Sequence, residues 1–107
     1  SLQLSQSQII FMILLFLYIK LIKMENYLED IRNKIKKKIN VEKIEIINNS
    51  QKHKSHKFFD KNKYHLHLKI KSLYLKSITR LSAQKLIMNV LKEDLKNKIH
   101  ALEISID

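Results

Sequence analysis

Residues 64–71 read Tyr-His-Leu-His-Leu-Lys-Ile-Lys, and apolar and polar side chains alternate through this stretch without interruption. In an extended chain, Leu66, Leu68 and Ile70 lie on one face, while the histidines and lysines lie on the other. The stretch therefore predicts a β-strand with one buried face and one polar face, and it is the clearest strand signal in the chain.

The residues before this strand predict a helix, a second strand and a loop. Apolar residues recur every three or four positions between Met24 and Ile39, as on one face of a helix. That stripe consists of Leu28, Ile31, Ile35 and Ile39. Val41–Asn48 is rich in isoleucine and predicts a strand, and Gln51–Lys63 is a polar loop of the length that is usually functional or mobile.

The residues after the strand complete the domain. Ser72–Leu81 is a connector with a short helical turn expected around Ile78, and Ser82 is expected to cap a helix running to about Leu95. The predicted buried stripe of that helix is Leu86, Ile87, Val90, Leu91 and Leu95. Ile99–Ile106 predicts a last strand, with Leu102, Ile104 and Ile106 facing the core. The order helix, strand, strand, helix, strand predicts an α+β domain whose small sheet is covered by helices on one face.

The first 23 residues differ from the rest. Ile9–Ile19 is uninterruptedly apolar and Lys20 interrupts it, so the run of about 11 to 14 residues is shorter than the roughly 20 of a membrane helix. No basic residue precedes the run and no small-residue cleavage site follows it. We therefore expect residues 1–23 to be an upstream extension, a removed leader or a weak anchor, with the domain at 24–107. A membrane is not an expected partner.

The composition excludes several functions. The 107 residues contain no glycine, proline or cysteine. Glycine-rich phosphate loops, disulfides, cysteine zinc sites and a cysteine nucleophile are therefore excluded. Ser50 is near His53 in sequence, but no glycine elbow or oxyanion loop accompanies it. We expect a single domain that is not an enzyme.

Four of the five histidines lie between Asn48 and Ile70. They are His53, His56, His65 and His67. The pairs His53/His56 and His65/His67 have spacings that zinc sites use, but solvated histidines share such spacings and no cysteine completes a ligand set. The fifth, His100, shares the parity of Leu102, which predicts that it enters the sheet from the core side, either as a structural core histidine or as part of a site.

The net charge of +11 has two interpretations. One is a surface for nucleic acid or an acidic membrane. Its candidate nucleic-acid contacts are Lys69, Lys71, Arg80 and Lys85. The other is a composition rich in Lys, Ile and Asn without a binding role, because the lysines are spread along the chain with few aromatics to stack bases.

Three segments in order resemble the BolA family of small stress-related and iron–sulfur accessory proteins, over roughly residues 24–106. Leu91–Leu95 followed by His100-Ala101-Leu102 is similar to the family's acidic helix end and His-Ala-Leu. Residues 48–53 resemble its Asn-x-Ser-x-x-His, and residues 67–70 resemble its His-Phe-Lys/Arg-Val. Ala83-Gln84-Lys85 replaces the family's Arg-His-Arg, and Leu75 and Ser77 replace an aromatic residue and a glycine. These departures weaken the case for a nucleic-acid surface on that helix.

The resemblance implies a class II KH-like fold with a three-stranded mixed sheet. It also implies a non-enzymatic protein, monomeric when isolated, that binds a monothiol glutaredoxin as a heterodimer. The pair would share a [2Fe–2S] cluster with glutathione in iron–sulfur protein maturation or iron regulation, in the cytoplasm or mitochondrial matrix. The implied ligands are His100 and His53, with His56 and His67 as secondary ligands or orienting residues.

A chain without cysteine cannot hold such a cluster alone, so no cofactor is expected in the isolated protein. Two imidazoles from this chain can, however, complete a set whose thiolates come from a partner's cysteine and glutathione. The alternative function is a KH-like nucleic-acid-binding or transcription-regulating module. Without a Gly-x-x-Gly loop, such binding is expected to be mostly electrostatic and to fall steeply with salt.

Overall fold

The computed structural model describes residues 3–50 and 63–107, which form four helices and three strands. The elements are α1 (Gln6–Lys38), β1 (Lys43–Asn48), β2 (Tyr64–Lys71), α2 (Leu73–Ser77), α3 (Arg80–Val90), α4 (Lys92–Asn97) and β3 (Ile99–Ile106). Both β2 and β3 coincide with the predicted strands residue for residue.

The three strands form one sheet in the order β1-β2-β3. Strand β1 runs antiparallel to β2, with Ile46 opposite Leu68, and β3 runs parallel to β2, with Ile104 beside Leu68. A parallel pair needs a crossover connection, and α2, α3 and α4 provide it. The predicted α+β fold with a small mixed sheet is confirmed.

The apolar face of β2 forms the centre of the core. Leu66, Leu68 and Ile70 are buried, as the alternation predicted. The helices contribute buried side chains at Ile31, Ile35, Leu75, Ala83, Ile87 and Leu91. The described helices cover this face, and the opposite face carries the histidines and lysines of β2.

Helix α1 begins at Gln6, and the prediction that a helix starts at Met24 is wrong. Ser5 and Gln8 form a reciprocal capping arrangement: the Ser5 N–H donates to Gln8 Oε1 at 2.9 Å and the Gln8 N–H donates to Ser5 Oγ at 3.2 Å. Because the chain contains neither glycine nor proline, no residue breaks the helix between this cap and Lys38.

The chain divides into two compact units, Ser1–Asp30 and Ile31–Asp107. In the first unit, the large apolar side chains from Ile9 to Ile22 are all exposed to solvent. Among the described residues, α1 is the one helix that is long and apolar enough to cross a membrane, by length and composition. The second unit contains the sheet and α2 to α4.

The helical region between β2 and β3 differs from the prediction in three ways. The short helix α2 ends at Ser77, just before Ile78. The cap of α3 is Thr79, whose Oγ1 accepts from the Ser82 N–H at 3.1 Å, so Ser82 lies inside the helix. Helix α3 ends at Val90, and a separate helix, α4, begins after the fully buried Leu91, whose φ of −98° and ψ of 17° interrupt the helical run.

An ion pair anchors α4 within the second unit. Lys34 Nζ lies 2.8 Å from Oδ2 of Asp94, a side chain that is buried, while Lys34 is half exposed. A buried carboxylate is tolerated when a cation pairs with it. The pair therefore holds Asp94 next to Lys34, in the last part of α1. Helix α4 ends at Asn97, and the chain enters β3 immediately afterwards.

Ile87 and Leu86 provide a direct test of the orientation of α3. Ile87 is 0% exposed, whereas Leu86, which the sequence placed in the buried stripe, is 37% exposed. Ile87→Ala should lower the free energy of unfolding by about 2–5 kcal/mol because it leaves a cavity. Leu86→Ala should lower it by less than about 1 kcal/mol. Urea unfolding followed by circular dichroism measures both, and equal losses would contradict this orientation.

Candidate functional site

A bulge at the start of β3 determines where His100 lies. Tyr64 pairs with Ile99 and His65 pairs with Ala101, so His100 is an extra residue between two paired positions. A bulge re-aims the side chain of the extra residue and breaks the alternation of faces. Ile99 is buried, whereas His100 is exposed. The expectation that His100 enters from the core side is therefore wrong, because the parity argument assumed a regular strand.

The bulge brings His100 to the ring of His65. The two ring centroids are 5.0 Å apart and the ring planes are tilted by 44°. His65 is only 6% exposed although it lies on the polar face of β2, and its neighbour His100 is exposed. One imidazole of the pair is therefore held inside the fold and the other is accessible to a partner.

His67 lies two residues along the same face, in a different environment. Its Nε2 is hydrogen-bonded to Ser105 Oγ at 2.7 Å, and its Nδ1 lies 3.7 Å from Oε2 of Glu103. Both partner residues come from β3, so the ring bridges the two strands. The hydrogen bond from Nε2 to Ser105 holds the ring of His67 in a fixed orientation, which suits it to an orienting role.

The end of β1 is fastened to the backbone of His65. The His65 N–H donates to Ser50 Oγ at 3.1 Å, and the Asn49 N–H donates to the His65 carbonyl at 2.7 Å. Asn48 Oδ1 accepts from the Ser50 N–H at 3.0 Å and from the Ser50 hydroxyl, in the manner of an Asx turn. The Asn48–Ser50 segment singled out in the sequence therefore holds the chain beside His65.

Two of the predicted site residues, His53 and His56, lie outside the described residues. Within 3–50 and 63–107, no group of three or more His, Cys, Asp or Glu side chains is arranged to hold a metal ion. His65 was named in the sequence only as part of the His65/His67 pair and was not among the predicted site residues. The signal that could have identified His65 is its position. It lies near the start of β2, and His100 lies near the start of the strand that pairs parallel to β2.

The four basic residues proposed as nucleic-acid contacts occupy two surfaces. Lys69 and Lys71 are exposed on the polar face of β2, where they lie opposite Glu45 and Lys43. Arg80 and Lys85 are exposed on α3, which covers the other face. The sheet separates the two pairs, so the structure does not bring the four residues into one patch.

Comparison with known proteins identifies the fold. Residues 35–107 match the family model described as BolA-like protein. The chain is similar to the BolA domain of SufE1 from Arabidopsis thaliana, with 28% identity and a TM-score of 0.63 over 74% of this chain and 87% of that one.

Two further solved structures are similar. BolA1 from Arabidopsis thaliana is 24% identical, with a TM-score of 0.61 over 73% of this chain and 86% of that one. BolA1 from Mus musculus is 25% identical, with a TM-score of 0.57 over 70% of this chain and 58% of that one. No curated protein sequence matches the chain.

Ser50→Ala tests whether the end of β1 is held by His65. The substitution removes the hydroxyl that accepts from the His65 N–H, a bond worth about 1 kcal/mol, so exchange of this amide should accelerate roughly fivefold. Ser105→Ala is the matched control, because it removes a hydroxyl from His67 and leaves the His65 amide untouched. Amide hydrogen exchange measured by NMR distinguishes them, and an unchanged His65 amide in Ser50→Ala would contradict the anchoring.

Proposed function

The chain belongs to the BolA-like family, and on that premise we propose that it is a non-enzymatic accessory protein that shares a [2Fe–2S] cluster with a monothiol glutaredoxin. The complex is a heterodimer that also uses glutathione and acts in iron–sulfur protein maturation or iron regulation. The observation that carries the proposal is the exposed ring of His100 beside the ring of His65.

The spacing of the two rings suits a metal site. Two imidazoles that bind one metal tetrahedrally, with nitrogens at about 2 Å, have ring centroids roughly 5 Å apart. The separation of 5.0 Å between the ring centroids of His65 and His100 agrees with this distance. His100 is on the accessible side of the pair and is therefore the ligand that meets the partner.

The absence of cysteine determines what the partner must supply. A [2Fe–2S] cluster has four protein-side ligands, and a set of two histidines and two thiolates is known chemistry. This chain contains five histidines and no cysteine. The thiolates of a shared site must therefore come from the glutaredoxin cysteine and from glutathione, while this chain supplies neutral imidazoles.

The second ligand from this chain is His53 or His65. The family resemblance implies His53, which follows Ser50 by three residues in the sequence. The Ser50 hydroxyl is hydrogen-bonded to the His65 backbone N–H. The three residues of chain from Ser50 to His53 span at most about 11 Å. His56 is the further alternative on the same segment. His67 acts as an orienting residue, since its Nε2 is hydrogen-bonded to Ser105 and its Nδ1 faces Glu103 at 3.7 Å.

The alternative of a nucleic-acid-binding module receives less support. Its four candidate residues lie on opposite faces of the sheet, and the chain has no glycine for a Gly-x-x-Gly loop. The proposed cluster role places the folded unit in an intracellular compartment, the cytoplasm or the mitochondrial matrix, where a monothiol glutaredoxin and reduced glutathione occur together.

Anaerobic cluster reconstitution with a monothiol glutaredoxin and glutathione tests the proposal. Visible circular dichroism should show a spectrum that differs from that of the glutaredoxin homodimer. His100→Ala should remove this difference because the accessible ligand is lost. Comparing His53→Ala with His65→Phe, which keeps a ring of similar size without nitrogens, should identify the second ligand by the larger spectral change.

Lys69→Ala is the matched control, since it removes an exposed side chain from the same face of β2 without removing a histidine. Its complex should retain the mixed-ligand spectrum. The cluster role fails if the wild-type mixture gives only the glutaredoxin spectrum. The assignment of His100 fails if the His100→Ala spectrum equals the wild-type spectrum.

A further inference from the structure

The first half of α1 presents an unusually apolar surface to solvent. The large apolar residues from Ile9 to Ile22 are each between 40% and 68% exposed. An 18-residue window of this helix has a mean hydropathy of 1.9, and none of that window is buried. Soluble proteins rarely leave a continuous apolar surface of this size uncovered, so a partner for it is required.

The exposed surface extends around the whole helix. Successive residues of an α-helix are rotated by about 100°, so Phe11, Met12, Ile13 and Leu14 together cover a full turn. All four are exposed. A protein groove or a second helix covers one stripe of a helix and requires polar residues on the other side. A helix that is apolar on every side and not buried in protein instead matches a lipid environment.

The length of the segment matches a bilayer. Residues 6–23 of the helix comprise 18 residues, which extend about 27 Å, close to the roughly 30 Å thickness of the hydrocarbon core. The unbroken apolar run alone is shorter, but α1 continues through Lys20 without interruption. A lysine near the end of a membrane helix extends its amine to the polar interface, so Lys20 is compatible with insertion.

The charge distribution gives the orientation. Residues 3–19 contain no charged side chain, whereas Lys20 and Lys23 follow directly and Lys36–Lys38 end the helix. Basic residues next to a membrane helix remain on the cytoplasmic side, or on the matrix side of the mitochondrial inner membrane. Tyr18 lies at the same end, where amphipathic aromatic rings favour the interface.

We propose that residues 6–23 of α1 form a membrane-spanning helix, with the lipid bilayer as its partner. The folded unit Ile31–Asp107 then follows on the cytoplasmic or matrix side. This inference does not depend on the cluster role, because it uses none of the histidines. It also replaces the expectation that a membrane is not a partner, which rested on the length of the uninterrupted run alone.

Synthesis of the full chain in a cell-free system with vesicles of phosphatidylcholine tests the proposal. These vesicles are uncharged, so the net charge of +11 cannot produce binding by itself. The wild-type chain should float with the vesicles and remain with them in alkaline carbonate. Leu14→Lys combined with Leu17→Lys places two cations at the centre of the segment and should reduce the floating fraction more than about tenfold.

The matched control is Leu73→Lys combined with Leu81→Lys. These leucines are also exposed, at 77% and 61%, but they lie in the second unit, so this variant should float like the wild type. The proposal is overturned if the wild-type chain stays in the aqueous fraction or if carbonate releases it. It is also overturned if the Leu14/Leu17 variant floats as well as the wild type.

Discussion

The parallel pairing of β2 with β3 determines which histidines of this protein meet. His65 and His100 are far apart in sequence. The crossover through α2, α3 and α4 returns the chain to the end of the sheet where β2 begins. A regular ladder would direct His100 toward the core. The single extra residue in β3 instead leaves His100 exposed and in contact with the His65 ring. The exposure of His100 thus follows from the register of β3 on β2. The helices contribute because they form the crossover that brings the chain back beside the start of β2.

The same face of the sheet contains histidines with two different roles. The ring of His67 is hydrogen-bonded to Ser105 and lies near Glu103, which holds it beside β3. His100, near the start of β3, is exposed. A chain without cysteine that presents an accessible imidazole is suited to completing a metal site with another protein. If residues 6–23 span a membrane, as proposed, the folded unit meets its partner at the membrane surface.

The sequence predicted the regular parts of this fold and failed where regularity is broken. The alternation of residues 64–71 predicted β2 and its buried face, and the strand at Ile99–Ile106 was predicted with its observed limits. The orientation of His100 was wrong because a bulge leaves no signature in residue parity. Helix α1 was predicted too short because the change in composition at Met24 was interpreted as a structural boundary, whereas no helix-breaking residue lies there. His65 was not selected because its contact with His100 depends on a pairing between distant segments, which periodicity does not report.

Pulsed electron paramagnetic resonance of the reduced complex measures directly whether histidines of this chain coordinate the proposed shared cluster. The chain is prepared with histidine carrying the heavy nitrogen isotope, and the glutaredoxin and glutathione are left unlabelled. The account predicts strong hyperfine couplings from imidazole nitrogen that change to the pattern of the heavy isotope and weaken in His100→Ala. Couplings that are absent, or that do not respond to labelling this chain, would contradict it.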